Sequence, residues 1–312
     1  MKYKPMLAKI GTKDLLEDKE LIFEPKLDGY RALCEVGPRS MKFYSRRGID
    51  ITKQFPEFEF RDRINAKNCI LDGEIIVENK KGYADFHLLQ GRSQLQDEAI
   101  IKEKSSKHPA VYAVFDILSK DGTSLLKKPF MQRHAILHET VQPNKEILLL
   151  PWTHDGKKLF AQMKKEKREG VMAKEPNGIY SPGKRTRAWQ KVKTLKSLEC
   201  VVLGYTQEKK LISSLALGLY DKKGTLTYVG RVGTGFSQDN IDELYPKLQK
   251  QKSSKAPAKE MPTIKGVQYV HPKIVVEVKY LELSPTGTLR HTAYLHYRDD
   301  KKPKACTFDQ IS

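Results

Sequence analysis

The chain has 312 residues, is 39% apolar, and carries 57 Lys and Arg against 38 Asp and Glu, a formal net charge of +19. Such a length and apolar content allow a sizeable core and favour two domains over one, while the charge favours a polyanionic partner, nucleic acid ahead of an anionic membrane. No apolar run approaches the length of about eighteen residues that spans a bilayer, and Met1-Lys2-Tyr3-Lys4-Pro5 has no signal-peptide core, so a soluble, cytoplasmic, nucleoid-associated protein with no membrane partner is expected.

Leu21-Ile22-Phe23 reads as a short buried strand that runs into Glu24-Pro25-Lys26-Leu27-Asp28-Gly29-Tyr30-Arg31. Gly29 permits a sharp reversal, and Tyr30 to Val36 alternates like a returning strand. Lys26 thus ends a core strand, where a lysine is held in place. Met41 to Ser45 is another strand, leading into the basic turn Arg46-Arg47-Gly48. Phe55-Pro56-Glu57-Phe58 is expected to start a helical segment reaching about Asn65. Cys69-Ile70-Leu71 and Ile75-Ile76-Val77 flank Asp72-Gly73-Glu74, where a glycine inside a strand suggests a bulge or a close ligand. Val111 to Leu118 is the strongest strand, followed by an Asp121-Gly122 turn and a helix from about Met131 to Thr140. Glu146 to Leu150 is a strand, Gly156 to Arg168 a very basic helix stopped by Gly170. Val171 to Lys174 and Trp189 to Lys193 are two further short strands; Lys191 and Lys193, two apart, face the same way.

Beyond Lys193 the texture changes to short strands divided by turns, Leu198 to Tyr205, Ser214 to Tyr220, Leu226 to Val232 and Ile274 to Leu283, with a helix near Asp239 to Lys250. This pattern predicts a small β-barrel with one helix, with Lys252 to Met261 as an exposed loop. The expected domains are 1–194 and 195–312. Cys34, Cys69, Cys200 and Cys306 are widely spaced with no Cys-x-x-Cys pair, so buried free thiols are expected.

In order, the chain offers Lys26-x-Asp28-Gly29-x-Arg31, Ser45-Arg46-x-Gly48, Asp72-Gly73-Glu74, Phe115-Asp116, Glu169-Gly170-Val171, Lys191-x-Lys193 and Arg298-x-Asp300-Lys301. That series resembles the covalent nucleotidyltransferase superfamily, and within it the ATP-dependent DNA ligases, most of all the ligase domain of bacterial end-joining ligases. Further likeness lies in Pro5-Met6-Leu7-Ala8, Phe86-His87-Leu88-Leu89-Gln90, Tyr228 to Phe236 and Val276 to Tyr280. Each motif alone is weak; seven in series are specific.

The resemblance implies an α+β fold: an ATP-grasp-like adenylation (nucleotidyltransferase) domain of antiparallel sheets and helices, then an OB-fold barrel that closes over ATP about a hinge near Thr194 to Ser197. It implies that Lys26 attacks the α-phosphorus of ATP and holds AMP by a phosphoramide bond. Nearby positive charge from Lys191 and Lys193 is expected to favour the neutral amine. By the same resemblance Lys191 and Lys193 hold the α-phosphate, Glu74 and Glu169 position ribose hydroxyls or a divalent ion, and Phe115 stacks on adenine. Glu24 accepts from the adenine amino group, Arg31 reaches the ribose, Arg46 engages the nick 5′-phosphate, and Arg298 and Lys301 touch the β- and γ-phosphates. Mg²⁺, or Mn²⁺, is the expected metal, since carboxylates with phosphates suit it. The implied substrate is nicked double-stranded DNA, the implied state a monomer, and a Ku-like end-binding protein a candidate partner. An RNA ligase or a GTP-using capping enzyme is the alternative.

Other features read blandly. His134 and His138, four apart, lack the glutamate of zinc proteases and read as plain helix positions. Gly230, Gly233 and Gly235 have the wrong spacing for a dinucleotide loop and suit strand bends. The basic helix from Lys157 to Arg168, with Leu159, Phe160 and Met163 as its apolar stripe, reads as a solvated face able to touch backbone phosphates. With twenty-five residues ahead of Lys26, the chain is expected to lack the helical DNA-binding domain of larger ligases, and the polymerase and nuclease modules that accompany its bacterial likenesses.

Overall fold

The computed structural model describes residues 3–311 apart from 81, 90, 167, 195, 209, 210, 259 and 285; at 87 and 282 it describes the backbone only. Gln90, Lys167 and Leu195, which belong to the Phe86–Gln90 motif, the basic helix and the expected hinge, lie outside the described residues. By its internal contacts the chain divides into two units, Met1–Thr194 and Leu195–Ser312.

The first unit contains β1 (Leu7–Ile10), β2 (Ile22–Lys26), β3 (Tyr30–Val36), β4 (Met41–Ser45), β5 (Cys69–Val77), α1 (Phe86–Leu89), α2 (Glu98–Lys107), β6 (Ala110–Lys120), β7 (Thr123–Ser124), α3 (Phe130–Thr140), β8 (Ile147–Leu149), α4 (Gly156–Lys165), β9 (Gly170–Lys174) and β10 (Arg185–Lys193). One sheet runs β4-β3-β5-β6-β7 with β8 alongside β6; a second runs β1-β10-β9-β2. The near-continuous apolar runs of β5 and β6 place both at the centre of the first sheet, buried on both faces. Between Asp72 and Gly73 the β5–β6 register slips, as the glycine suggested: a Cβ on Gly73 would fall 2.6 Å from the Ala113 carbonyl oxygen. Helix α3 is fastened to β6 by a fully buried pair, in which Nε and Nη2 of Arg133 each donate to a different Asp116 carboxylate oxygen at 2.8 Å.

One expected element is absent from its place. Residues Phe55 to Asn65 form no α-helix; apart from a 3₁₀ turn at Arg61–Arg63 the segment is irregular, yet it buries Phe55, Phe58, Phe60 and Ile64. The aromatic spacing is satisfied by loop packing, with Phe55 stacked on Phe58 at 5.6 Å. Arg61 stands in for helical hydrogen bonds by donating to the carbonyls of Gly37, Ile64 and Ala66.

The second unit contains β11 (Ser197–Glu208), β12 (Leu211–Tyr220), β13 (Leu226–Val232), α5 (Gln238–Gln249), β14 (Lys252–Ser253), β15 (Gln268–Val270), β16 (Val275–Lys279), β17 (Glu282–Leu283), β18 (Leu289–Arg290) and β19 (Ala293–Tyr297). Its sheet runs β13-β12-β11-β15-β14, and β16 bridges β11 to β19. Inward residues of these strands, with Leu244 and Leu248 of α5, make one core. Helix α5 starts at a capping box, in which Ser237 and Asn240 bond each other's backbone N–H. The strand expected from Ile274 to Leu283 is in fact two, β16 and β17. Of the glycines expected at strand bends, Gly235 lies instead in the connection after β13, at φ +88°, where a Cβ would lie 2.5 Å from the Tyr294 carbonyl oxygen. All four cysteines are free and buried, as expected. No helix among the described residues is long and apolar enough to cross a membrane.

Candidate active site

Strands β2, β9 and β10 lie side by side, and their register sets the first wall of the site. Lys26 and Lys193 both pair with Gly170, Glu24 and Lys191 with Met172, and Ile22 and Trp189 with Lys174. Paired residues project to one side of a sheet, so Lys26, Glu24, Lys174, Trp189, Lys191 and Lys193 share a face. Gly170 is required between the two lysines: it has φ +146°, and a Cβ would come 2.1 Å from the Val192 carbonyl oxygen. Glu169 just before it reaches both neighbours, accepting from Lys26 Nζ at 2.5 Å through Oε2 and lying 3.5 Å from Lys193 Nζ through Oε1. The Lys26 amine is thus bound by a carboxylate, where the sequence suggested cations.

The second wall comes from the larger sheet. Arg31 of β3 pairs in register with Glu74 of β5, and its guanidinium grips Asp72 side-on, Nε to Oδ1 at 2.5 Å and Nη2 to Oδ2 at 2.6 Å. Asp72 is fully buried and also accepts from the Tyr180 hydroxyl at 2.6 Å. Burial opposes the charge on Arg31, and Asp72 more than offsets it, so the guanidinium is held above its ordinary value. The same guanidinium sits 4.5 Å from the Phe115 ring centroid and 5.3 Å from Trp189. Deletion of one partner would leave a buried, uncompensated charge.

Between the walls lies a cavity of about 70 Å³, lined by Glu24, Lys26, Arg31, Glu74, Phe115, Met172, Lys174 and Trp189. Five of the expected residues thus meet in one place. Ligand pockets usually measure about 300–1,000 Å³, so a nucleoside enters this cavity only as side chains move aside. Lys174 is what fills its inner end. Its ammonium lies 2.6 Å from Glu24 Oε2 and 4.3 to 4.7 Å from the rings of Trp189, Phe130 and Phe115, with both partners 1% exposed. Burial pushes the Glu24 carboxyl up to about 7 against the pull of Lys174, and burial likewise lowers Lys174 against the pull of Glu24. A larger groove of about 970 Å³ between α2 and the segment near Glu57 contains none of the expected residues.

The remaining expected residues lie elsewhere. Arg46 is half-buried in the turn after β4. Arg298 and Lys301 belong to the second unit, just after β19. There Arg298 donates through Nε and Nη2 to Asp300 and through Nη1 to Glu277, and Lys301 Nζ lies 2.8 Å from Glu199. His134 packs its ring 4.5 Å from that of His138, and no group of three or more metal-ligating side chains occurs among the described residues. Sequence reasoning assigned no role to Lys174 or Trp189, and it named Asp72 only as part of the Asp72-Gly73-Glu74 motif. For Lys174 a signal was present, a lysine closing an apolar strand just as Lys26 does.

Two family models match the chain: the ATP dependent DNA ligase domain over residues 5–193 and the ATP dependent DNA ligase C terminal region over 208–301. The multifunctional non-homologous end joining protein LigD of Mycolicibacterium smegmatis is 30% identical over 96% of the chain, which spans 39% of that relative's length. DNA ligase C1 of the same organism is 32% identical over 98% of the chain and 93% of the relative. Among solved structures, mycobacterial DNA ligase D complexed with ATP and MES superposes with a TM-score of 0.67 at 29% identity, covering 98% of each chain. The ligase domain of Mycobacterium tuberculosis LigD gives 0.52 at 30%, again over 98% of each. These matches give the two units a nucleotidyltransferase and an OB-fold architecture, an α+β fold, and do not favour the RNA-ligase or capping alternatives. The chain belongs to the ATP-dependent DNA ligase family.

Proposed function

We propose that the chain seals 3′-hydroxyl/5′-phosphate nicks in duplex DNA through a lysyl-adenylate on Lys26. The observation that carries this reading is Lys26 at the end of β2, within reach of Glu169 and across Gly170 from Lys193, at the mouth of a cavity walled by Phe115, Trp189 and Arg31. In the first step the Lys26 nitrogen bonds to the α-phosphorus, the bond to the β-phosphate oxygen breaks, and pyrophosphate leaves. Glu169 is placed to take the amine proton, and Lys191 and Lys193 to hold the α-phosphate. AMP then passes to the nick 5′-phosphate, and the 3′-hydroxyl displaces it as the phosphodiester forms.

Phe115 and Met172, on facing walls, suit the two faces of adenine, and Glu24 with Lys174 its polar edge. Asp72 holds the Arg31 guanidinium for the ribose, Arg46 serves the nick phosphate, and Arg298 and Lys301 the β- and γ-phosphates. The donor chemistry fits a magnesium ion, since Glu74 and Glu169 supply hard carboxylate oxygens beside the lysine and such an ion binds one or two carboxylates together with substrate phosphates. When bound it neutralises charge on the phosphates. The domains fall at 1–194 for adenylation and 195–312 for the OB-fold, in a monomeric cytoplasmic enzyme. By likeness to relatives named for non-homologous end joining, the pathway is repair by end joining with a Ku-like recruiter. Intact-mass spectrometry after incubation with ATP and magnesium is expected to show one added AMP, mapped to Lys26 and lost in K26A; an adduct at another side chain would refute the assignment.

A further inference from the structure

Glu199 of β11 and Glu277 of β16 are direct register partners, and Glu277 is in turn paired, on its other side, with His296 of β19. The three side chains form one row on one face of three neighbouring strands. Like charges placed opposite one another repel, and here they are 8% and 3% exposed, where water screens little. What offsets them comes from the segment after β19. Glu277 accepts from Ser197 Oγ at 2.6 Å through Oε1 and from Arg298 Nη1 at 2.9 Å through Oε2, with His296 Nε2 3.3 Å away. Glu199 Oε1 lies 2.8 Å from Lys301 Nζ, and Asp300 clasps the other edge of Arg298 at 2.8 and 2.9 Å.

A barrel selected for stability alone gains little from this arrangement, because replacing buried ion pairs with apolar side chains is often neutral or stabilising. Its specific product is geometric. Two cations of a four-residue stretch are each tied to a different strand, so their separation is fixed by the strand spacing of the barrel and not by a flexible turn.

We propose that Glu277 and Glu199 are positioning residues, a buried carboxylate pair that presets Arg298 and Lys301 for the triphosphate of ATP in the lysine-adenylating step. The proposal rests on the reading of Arg298 and Lys301 as phosphate contacts. In that step negative charge collects on the departing pyrophosphate, and cations already fixed in place stabilise it without reorganising. Transfer of AMP to DNA and closure of the nick release no pyrophosphate and do not need the mount.

The test uses the full chain with E277Q, E199Q and, as a control, R298A. Two rates are measured: self-adenylation with ATP and magnesium, and sealing of a nick whose 5′ end already carries AMP. E277Q is expected to slow self-adenylation about 10²-fold, the usual penalty for a misplacement of about 1 Å, and E199Q in the same direction, with sealing of the pre-adenylated nick unchanged. Loss of both reactions in equal measure would show a merely structural network and overturn the proposal. If R298A slows self-adenylation and E277Q does not, positioning by Glu277 is refuted alone. If R298A leaves self-adenylation intact, the reading of Arg298 falls and takes the proposal with it.

Discussion

Replacing Lys174 by methionine isolates the most unusual pair in the first unit. The side chain keeps its length and apolar stem but loses the ammonium that lies 2.6 Å from Glu24 Oε2 and within 4.7 Å of three rings. Desolvated cation–π contacts are worth about 2 kcal/mol, which sets the expected loss near neutrality. The pH dependence is more diagnostic. In the wild type Glu24 has its folded value raised from 4.5 to about 7, so its contribution is fully present below 4.5, is lost as pH rises toward 7, and is flat beyond. Without Lys174 the carboxyl stays protonated to higher pH, and folding must carry that proton along. The loss then keeps growing above pH 7 at about 1.4 kcal/mol per unit, reaching roughly 4 kcal/mol at pH 8.5. Urea unfolding of wild type, K174M and the double variant E24Q/K174M at pH 6, 7 and 8.5 measures this directly. The double variant is expected to lose the extra slope. A K174M penalty independent of pH, or a slope that survives in the double variant, would refute the account of a burial-strained pair.

Three further outcomes are expected. D72N leaves the half-buried Arg31 guanidinium with half its grip on a fully buried partner and should cost about 3 kcal/mol, the usual loss on breaking a buried pair, while raising the ATP concentration needed for self-adenylation; thermal unfolding and labelled-ATP titration check both. His134 is pushed down to about 4 by burial and then by His138. Its contribution is therefore complete above 6.5 and lost as pH falls from 6.5 toward 4, by about 2–3 kcal/mol; H134Q should flatten that part of the Tm profile relative to wild type. With a net charge of +19, binding of nicked DNA should weaken steeply with added salt, and a flat profile in fluorescence anisotropy between low and physiological ionic strength would contradict a backbone-neutralising interface.

The parts of the site legible in the sequence are those written locally. Lys26 is marked by the strand before it and the glycine turn after it, and the period of two places Lys191 and Lys193 on one face. The pairs that fix the cavity were not legible, because each joins residues far apart in the chain: Lys174 meets Glu24 only through the β2–β9 register, and Asp72 meets Arg31 only through β3 and β5. The error at Phe55 to Asn65 has a similar origin. Aromatic residues three apart mimic a helical stripe, but the hydrogen bonds that decide the backbone come from Arg61 and from segments distant in sequence, such as the Thr140 carbonyl that receives the Asn65 N–H.

A common device joins the two units, considered each by itself. On the proposed reading the cations of each unit meet phosphates, and clustered cations repel before a ligand arrives. In the first unit Lys26, Arg31 and Lys174 rest on Glu169, Asp72 and Glu24; in the second Arg298 and Lys301 rest on Asp300, Glu277 and Glu199. Each carboxylate lowers the cost of assembling positive charge in a fold already at +19, and each holds its cation in one orientation. Where the pair is half-buried, as at Lys26 and Glu169, the proposed mechanism has the carboxylate exchange partners or take a proton. Where it is sealed, as at Lys174 and Glu24, the charges shape the pocket, and breaking them costs fold and function together.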